Sequence, residues 1–179
     1  AAELDDEEEA IPTWFWMVRP DSADDDGSRS SNRKKPIPWQ HHTDDVVSNM
    51  RRIADRLLVD EADLHEAVIL AAKAHDLGKC RVVWQRSIGN PEPDVCYAKS
   101  GKAPGWGRLV ELTRYRHEFG SLFDLLAEEQ HRGEFERLSP EMQNVVLHLI
   151  AVHHGYGRPH FSMGRAFDPR PQQEDCRRL

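Results

Sequence analysis

Cysteine is scarce in this chain. Cys80, Cys96 and Cys176 are the three in 179 residues, and none forms a CxxC pair. The odd count excludes a closed disulfide framework, so a reducing, cytoplasmic setting is the simplest expectation. Any metal site must then be built from other ligands. Long apolar runs are absent too. The longest stretch free of Asp, Glu, Lys and Arg lies between Glu141 and Arg158 and carries His148, His153 and His154. A spanning helix needs about 20 predominantly apolar residues, which excludes a membrane span. No stretch has the basic, apolar, small-residue order of a signal peptide. The chain opens on Ala1 rather than Met, as a fragment of something longer would. A basic excess is also missing: 24 Lys and Arg face 31 Asp and Glu, a formal net charge of −7. That balance argues against a nucleic-acid partner until its distribution is read. Residues 1–26 hold ten acids and one base, Arg19, which leaves 23 bases and 21 acids for residues 27–179, a formal +2. The acidity is a property of the leading segment, and the body is near neutral. What the chain has in quantity is histidine, ten in all.

Residues 1–10 read as a solvated acidic linker. Ile11 to Val18 (IPTWFWMV) is aromatic and β-prone, which predicts a short extended segment, and residues 20–38 read as loop. Asp24, Asp26 and Gly27 resemble part of a calcium loop, but Ser22 stands at the first ligand position and Arg33 where the closing Glu belongs, so the match fails. From His42 the period becomes helical, with Val46, Met50, Ile53 and Leu57 as the expected core stripe. A second helix is predicted from Asp60, as N-cap, to about Leu77, with Leu64, Val68 and Ala71 inward and Gly78 as its stop. Cys80–Ile88 reads as a short third helix, and Gly89–Gly107 as an irregular Gly/Pro-rich insertion. A fourth helix starts near Arg116 or His117 and carries Phe119, Leu122, Phe123 and Leu126. Ser139-Pro140-Glu141 opens the last clear helix, which runs through Val145, Val146, Leu149 and Ile150 to His153-His154 and stops at Gly155. Residues 160–179 are loop-like. The expected fold is all-α: a helical bundle over residues 38–179, preceded by residues 1–37 as linker, extended segment and loop.

The histidines fall at telling places on these helices. His42 is four residues before Val46 and eleven before Ile53, which puts it on the stripe of the first helix. His75 follows Val68 by seven and Leu64 by eleven, so it continues the stripe of the second. Asp76 is turned a further ~100° and follows Ile69 and Ala72, which are also apolar. His153 is seven after Val146, and His154 four after Ile150. Three helices thus each end an apolar face in His, or in His with Asp. A buried Asp is costly unless it is paired or bound to a cation. Imidazole suits Mn, Fe, Co, Ni and Zn, and a carboxylate can bridge two ions. Pairs of ions about 3.5–4 Å apart recur in phosphoester hydrolysis, where they generate hydroxide at neutral pH and hold both the attacking and the leaving oxygen. A lone histidine on an apolar face is usually a hydrogen-bonded core residue. Several of them converging, one followed by Asp-x-Gly-Lys, favour a metal site. His65, His131, His148 and His160 lack this placement and read as surface or supporting residues. His41 could replace His42 if the helix starts differently.

His75-Asp76-Leu77-Gly78-Lys79 resembles the HD-superfamily signature of metal-dependent phosphohydrolases. With His42-Thr43-Asp44-Asp45-Val46, then Arg116-His117-Glu118, then His153-His154-Gly155 in this order, the set resembles the HD nuclease domain of the CRISPR-associated helicase–nuclease of type I systems. The Trp14-Phe15-Trp16 segment and the loop before Trp39 look most like the type I-G (formerly I-U) branch, whose HD domain follows the helicase part. The resemblance covers about residues 11–170. It implies an HD-domain bundle that cleaves single-stranded DNA by a two-metal-activated hydroxide. Its partners would be the CRISPR surveillance complex and a helicase domain in the same or a partner chain. It implies that His42, His75 and Asp76 hold one divalent ion, and that Asp76 bridges to a second held by His117, His153 and His154. Lys79 would touch a phosphate. Transition ions such as Mn, Co, Ni or Fe suit this shell better than Mg alone. The family's further Asp on a late helix has no counterpart here. After His154 only Asp168, Glu174 and Asp175 remain, in Pro-rich sequence, so a truncated C-terminus is expected.

Arg81, Arg114, Arg116 and Arg158 lie near these motifs and could line a phosphate path, and Trp84, Trp106, Tyr115 and Tyr156 could stack unpaired bases. For any one of them the plainer reading, core aromatic or solvated arginine, is preferred. Trp14, Phe15 and Trp16 are expected to pack on the bundle rather than read bases. Two other functions remain open. One is an HD phosphohydrolase of nucleotides or cyclic dinucleotides, faintly suggested by Gly155-Tyr156-Gly157. The other is a docking module that is catalytically incomplete.

Overall fold

The computed structural model describes residues 35–92, 94–100 and 115–155. Six α-helices and one two-stranded ribbon make up this part of the chain. The helices are α1 (Trp39–Leu57), α2 (Ala62–Ala74), α3 (Val82–Ser87), α4 (His117–Ala127), α5 (Glu129–Glu136) and α6 (Pro140–Val152). A 3-10 turn, Leu77–Cys80, joins α2 to α3. Strands β1 (Ile37–Pro38) and β2 (Tyr97–Lys99) pair antiparallel, with Ile37 opposite Lys99 and Pro38 opposite Tyr97. The all-α expectation therefore holds, with β2 of the ribbon inside the Gly89–Gly107 segment expected to be an irregular insertion. Its remaining part, residues 101–107, and the Ile11–Val18 segment lie outside the described residues.

Helix α2 is central, because most of its surface is apolar. Ala67, Leu70, Ala71 and Ala74 are buried with Leu77, Leu125, Phe135, Leu138, Val146 and Ile150 in one aliphatic cluster shared by α2, α4, α5 and α6. Full burial of a Leu or Ile side chain stabilises by about 1.5–3 kcal/mol, so this cluster supplies the main driving force. A second, smaller cluster of Val83, Trp84, Ile88 and Tyr115 supports the turn and α3. Ser139 caps α6 as its sequence predicts: its Oγ accepts from Met142 N at 3.3 Å, and Pro140 follows in the first turn.

Several local expectations are corrected, and one helix is added. Helix α1 begins at Trp39, three residues before His42, because Trp39 N donates to Cys96 O (2.9 Å) at the end of the ribbon. Its buried face is Thr43, Val47 and Ala54, whereas Ile53 is 52% and Leu57 75% exposed. Helix α2 stops at Ala74, with Glu61 rather than Asp60 at its start, so that His75 is its cap and Asp76 stands outside it. Gly78 is not a left-handed stop; among the described residues the positive-φ glycines are Gly89 and Gly155. A Cβ on Gly78 would lie 2.2 Å from His117 O and 2.7 Å from Ser121 N, so its lack of a side chain lets α4 press against the turn. Last, α5 had no expectation at all. It is polar on nearly every side and buries only Phe135. Phe123 and Leu126 of α4 are 47% and 45% exposed, and Leu125 is the buried residue instead.

Candidate metal centre

Asp76 is 1% exposed and stands where α2 ends, the 3-10 turn begins and α4 starts. Its position is fixed by main-chain contacts. Trp39 Nε1 donates to Asp76 O at 2.9 Å, and Lys79 N donates to the same oxygen at 3.0 Å. Ser121 Oγ lies 2.8 Å from His75 O and 2.9 Å from His117 O and accepts from Gly78 N at 2.9 Å, tying α4 to the turn. Tyr115 Oη donates to Gly78 O at 3.0 Å.

Imidazoles surround the carboxylate on both sides. On the Oδ2 side are His42 Nε2 at 3.1 Å and His75 Nε2 at 3.2 Å, and Lys79 Nζ donates to the same oxygen at 2.9 Å. On the Oδ1 side are His117 Nε2 at 3.2 Å and His153 Nε2 at 3.5 Å, neither in hydrogen-bonding geometry, so this buried oxygen has no hydrogen-bond partner. His154 Nε2 lies 3.0 Å from His117 Nε2. The ligand atoms of Asp76, His117, His153 and His154 all fall within 4.8 Å of one another, as do those of His42, His75 and Asp76. The structure therefore brings together all six side chains expected as ligands, in the two groups expected.

Why the rings face inward follows from where they sit. His75 and His153 cap the C-terminal ends of α2 and α6, where the last carbonyls lack helical partners. His75 Nδ1 donates to Ala72 O at 2.8 Å and His153 Nδ1 to Ile150 O at 2.7 Å. A carbonyl only accepts, so Nδ1 carries the hydrogen, and in the neutral ring Nε2 is left as a lone pair aimed at Asp76. Lone pairs facing a carboxylate repel it unless a cation lies between them. Burial, with Lys79 adding to it, pushes His117 down to about 4, and burial with His117 and His153 pushes His154 down to about 3. Both are neutral bases at neutral pH. Burial alone would raise the Asp76 carboxyl, but His75, Lys79, His117 and His153 hold it well below the usual carboxylate range. An orphaned buried carboxylate oxygen among neutral nitrogen donors fits divalent cations. Two helix C-termini ending at the site add the negative ends of their dipoles.

Lys79 is 3% exposed and committed to Asp76, with its ammonium 5.5 Å from the Trp84 ring centroid. Arg81 makes a two-pronged pair with Asp124, Nε to Oδ2 and Nη2 to Oδ1 both at 3.1 Å, and is 4% exposed. Arg116 Nη2 lies 2.5 Å from Glu118 Oε1. These two arginines thus bind buried carboxylates rather than lining an open path, and Trp84 (1% exposed) and Tyr115 (4%) are packed, not poised to stack bases. Arg114, Arg158, Trp106, Tyr156, His160 and Asp168 lie outside the described residues. His41 is exposed, and it is His42 whose Nε2 lies beside Asp76. His65 pairs with Asp55 at 2.9 Å, His131 with Glu128, and His148 is exposed.

Sequence reasoning gave no role to Trp39, Gln85, Glu118 or Ser121. Gln85 fills all its hydrogen-bonding capacity. Nε2 donates to Lys79 O (2.6 Å) and Tyr97 O (2.9 Å), and Oε1 accepts from Asn90 Nδ2 (2.8 Å) and Tyr97 N (3.2 Å). It locks the ribbon to the turn that carries Lys79. Only Glu118, inside Arg116-His117-Glu118, had a sequence signal that could have found it.

No curated protein and no solved structure matched this chain. The family described as "Cas3, HD domain" matches residues 37–177, which contain every side chain of the two groups above. The match spans well over half of the sequence, and the chain belongs to the Cas3 HD-domain family.

Proposed function

We infer that the chain is a metal-dependent HD phosphohydrolase of the nuclease type in a CRISPR system, as its family membership implies. We propose, more finely, that the domain cuts single-stranded DNA with two divalent ions during type I interference. The strand would be displaced at a target held by the surveillance complex and fed by a helicase domain in the same or a partner chain. The type I-G branch remains our reading for its setting. The observation that carries the two-ion reading is the division of imidazoles about Asp76: His42 and His75 toward Oδ2, and His117 and His153 toward Oδ1. When bound, the ions supply a water activated at neutral pH and positive charge for the phosphate in flight.

The chain's own residues do the rest. His42, His75, His117, His153 and His154 offer nitrogen lone pairs, and Asp76 offers one oxygen to each side. Neutral imidazoles cancel little of the cationic charge, so it is left to attract a phosphodiester. Lys79 pairs with Asp76 on the Oδ2 side, beside His42 and His75; to reach a phosphate it must leave that oxygen. Trp39 and Ser121 hold the main chain on which these groups ride. The histidine-rich shell favours Mn, Co, Ni or Fe over Mg.

The test is digestion of single-stranded DNA by the full chain in EDTA and across a divalent series, with duplex DNA, nucleotides and cyclic dinucleotides as competitors. Cleavage restored by Mn, Co or Ni and absent in Asp76→Ala supports the reading. Preferential hydrolysis of a nucleotide supports the small-substrate alternative. Binding of the surveillance complex without metal-dependent cleavage marks a docking module.

A further inference from the structure

The two groups of imidazoles ride on different elements. His75 caps α2 and Asp76 follows it, whereas His117 opens α4. Metal ligands must be held to within about 0.5 Å of their working positions, so the seam between the 3-10 turn and α4 sets the geometry of the whole centre. That seam is bare main chain. Gly78 faces Gly120, and a Cβ on Gly120 would stand 3.3 Å from Gly78 Cα. Buried main-chain groups need hydrogen-bond partners, and at this seam Ser121, 0% exposed, provides for three of them. Its Oγ accepts from Gly78 N at 2.9 Å and lies 2.8 Å from His75 O and 2.9 Å from His117 O. The contact with His117 O is the bond to the fourth residue back that helical serines ordinarily make. The other two are not local: they join residues 43 and 46 apart in the chain. A hydroxyl has one hydrogen, so His75 O and His117 O, one from each group of imidazoles, share it.

We propose that Ser121 is a positioning residue that sets the spacing of the two ligand groups, holding His117 within reach of Asp76. The inference rests on the reading of these groups as two ion sites. The turn keeps its own ties without Ser121, because Asp76 O accepts from Trp39 Nε1 and from Lys79 N. His75 keeps its ring in place through Ala72 O. The ion of His42, His75 and Asp76 has no ligand on α4, whereas the ion of His117, His153 and His154 does. Loss of the Ser121 bonds therefore weakens one ion and spares the other. Residues that orient metal ligands commonly change affinity by about 10–100-fold when removed.

The test titrates Mn by calorimetry into the full chain as native protein, Ser121→Ala and Ser121→Cys, the last keeping the shape but only a weak hydrogen-bonding group. Leu138→Ala, in the aliphatic cluster and outside the centre, controls for lowered stability alone. Electron paramagnetic resonance of the loaded proteins reads the coupling between neighbouring Mn ions. The expected result is two coupled Mn in the native chain and in Leu138→Ala. In Ser121→Ala one Mn should bind as in the native chain and the other about tenfold more weakly, with Ser121→Cys shifted in the same direction. The spectrum of the Mn that remains should match that of His117→Gln rather than His42→Gln. Native affinity for both ions in the Ser121 variants overturns the proposal while the two-ion reading stands. Equal weakening of both ions, or the same weakening in Leu138→Ala, also overturns it, because Ser121 would then be structural only. If Ser121→Ala does not fold, Ser121→Cys decides on the same criteria. A native chain that takes up fewer than two Mn defeats the two-ion reading and the proposal with it.

Discussion

The two ends of α1 meet opposite fates. Its first turns hold Trp39, His42 and Thr43 against the HD turn, so a ring nitrogen from Trp39 and another from His42 both reach Asp76. Fifteen residues after His42, about 22 Å along a helix, Leu57 is 75% exposed, and Val59 beyond the helix equally so. One end is fixed by polar contacts to a neighbouring turn; at the other, Ala54 is buried and Asp55 pairs with His65, but Leu57 has turned away from the bundle. A helical stripe therefore marks a face that could be buried; the partners, not the periodicity, decide which face is.

The largest effect expected across this contrast is at the anchored end. Asp76→Ala removes the one carboxylate shared by both groups of imidazoles, and the variant should lose Mn binding and cleavage while its far-ultraviolet circular dichroism stays helical. Full activity in Mn would defeat the two-ion reading. Next is Asp124→Ala, which strands the buried Arg81 guanidinium. It should cost about 3–5 kcal/mol of stability, read from urea unfolding, as expected when one member of a buried pair is removed. Ile150→Ala in the aliphatic cluster should cost about 2–5 kcal/mol.

A smaller effect concerns pH. His117 and His154 titrate near 4 and 3 in the folded chain, below the ordinary histidine value of 6.5. Between those limits the unfolded chain binds more protons than the folded one, so stability rises with pH there. In EDTA the melting temperature should fall as pH drops from about 6.5 toward 4. A melting temperature that is flat or rises on acidification over that window contradicts the neutral assignment. Least of all, Leu57→Ser at the free end of α1 should change stability by no more than about 0.5 kcal/mol. A loss of several kcal/mol would show that the face is covered after all.

The site was more legible than the packing around it. His75-Asp76 and His153-His154 end strongly apolar helices, and a polar pair at such a place has few physical uses. Helix type and order were readable from Ser139-Pro140-Glu141 and from the apolar steps of α2 and α4. The α1 face was not, because Val46, Met50, Ile53 and Leu57 form as good a stripe as Thr43, Val47 and Ala54. The α5 helix was not, because one buried Phe135 leaves no period to see. Ribbon β1–β2 is too short to alternate, and Gln85 binds main-chain atoms, for which sequence carries no pattern. Gly78 was noticed for the wrong reason: it serves close approach, not a left-handed turn.

The most direct measurement is anomalous diffraction at the manganese edge from a Mn-soaked crystal. The account predicts two peaks flanking Asp76, one within bonding distance of His42 and His75 and the other of His117, His153 and His154. No peak among these side chains, or peaks that leave Asp76 unligated, would contradict it.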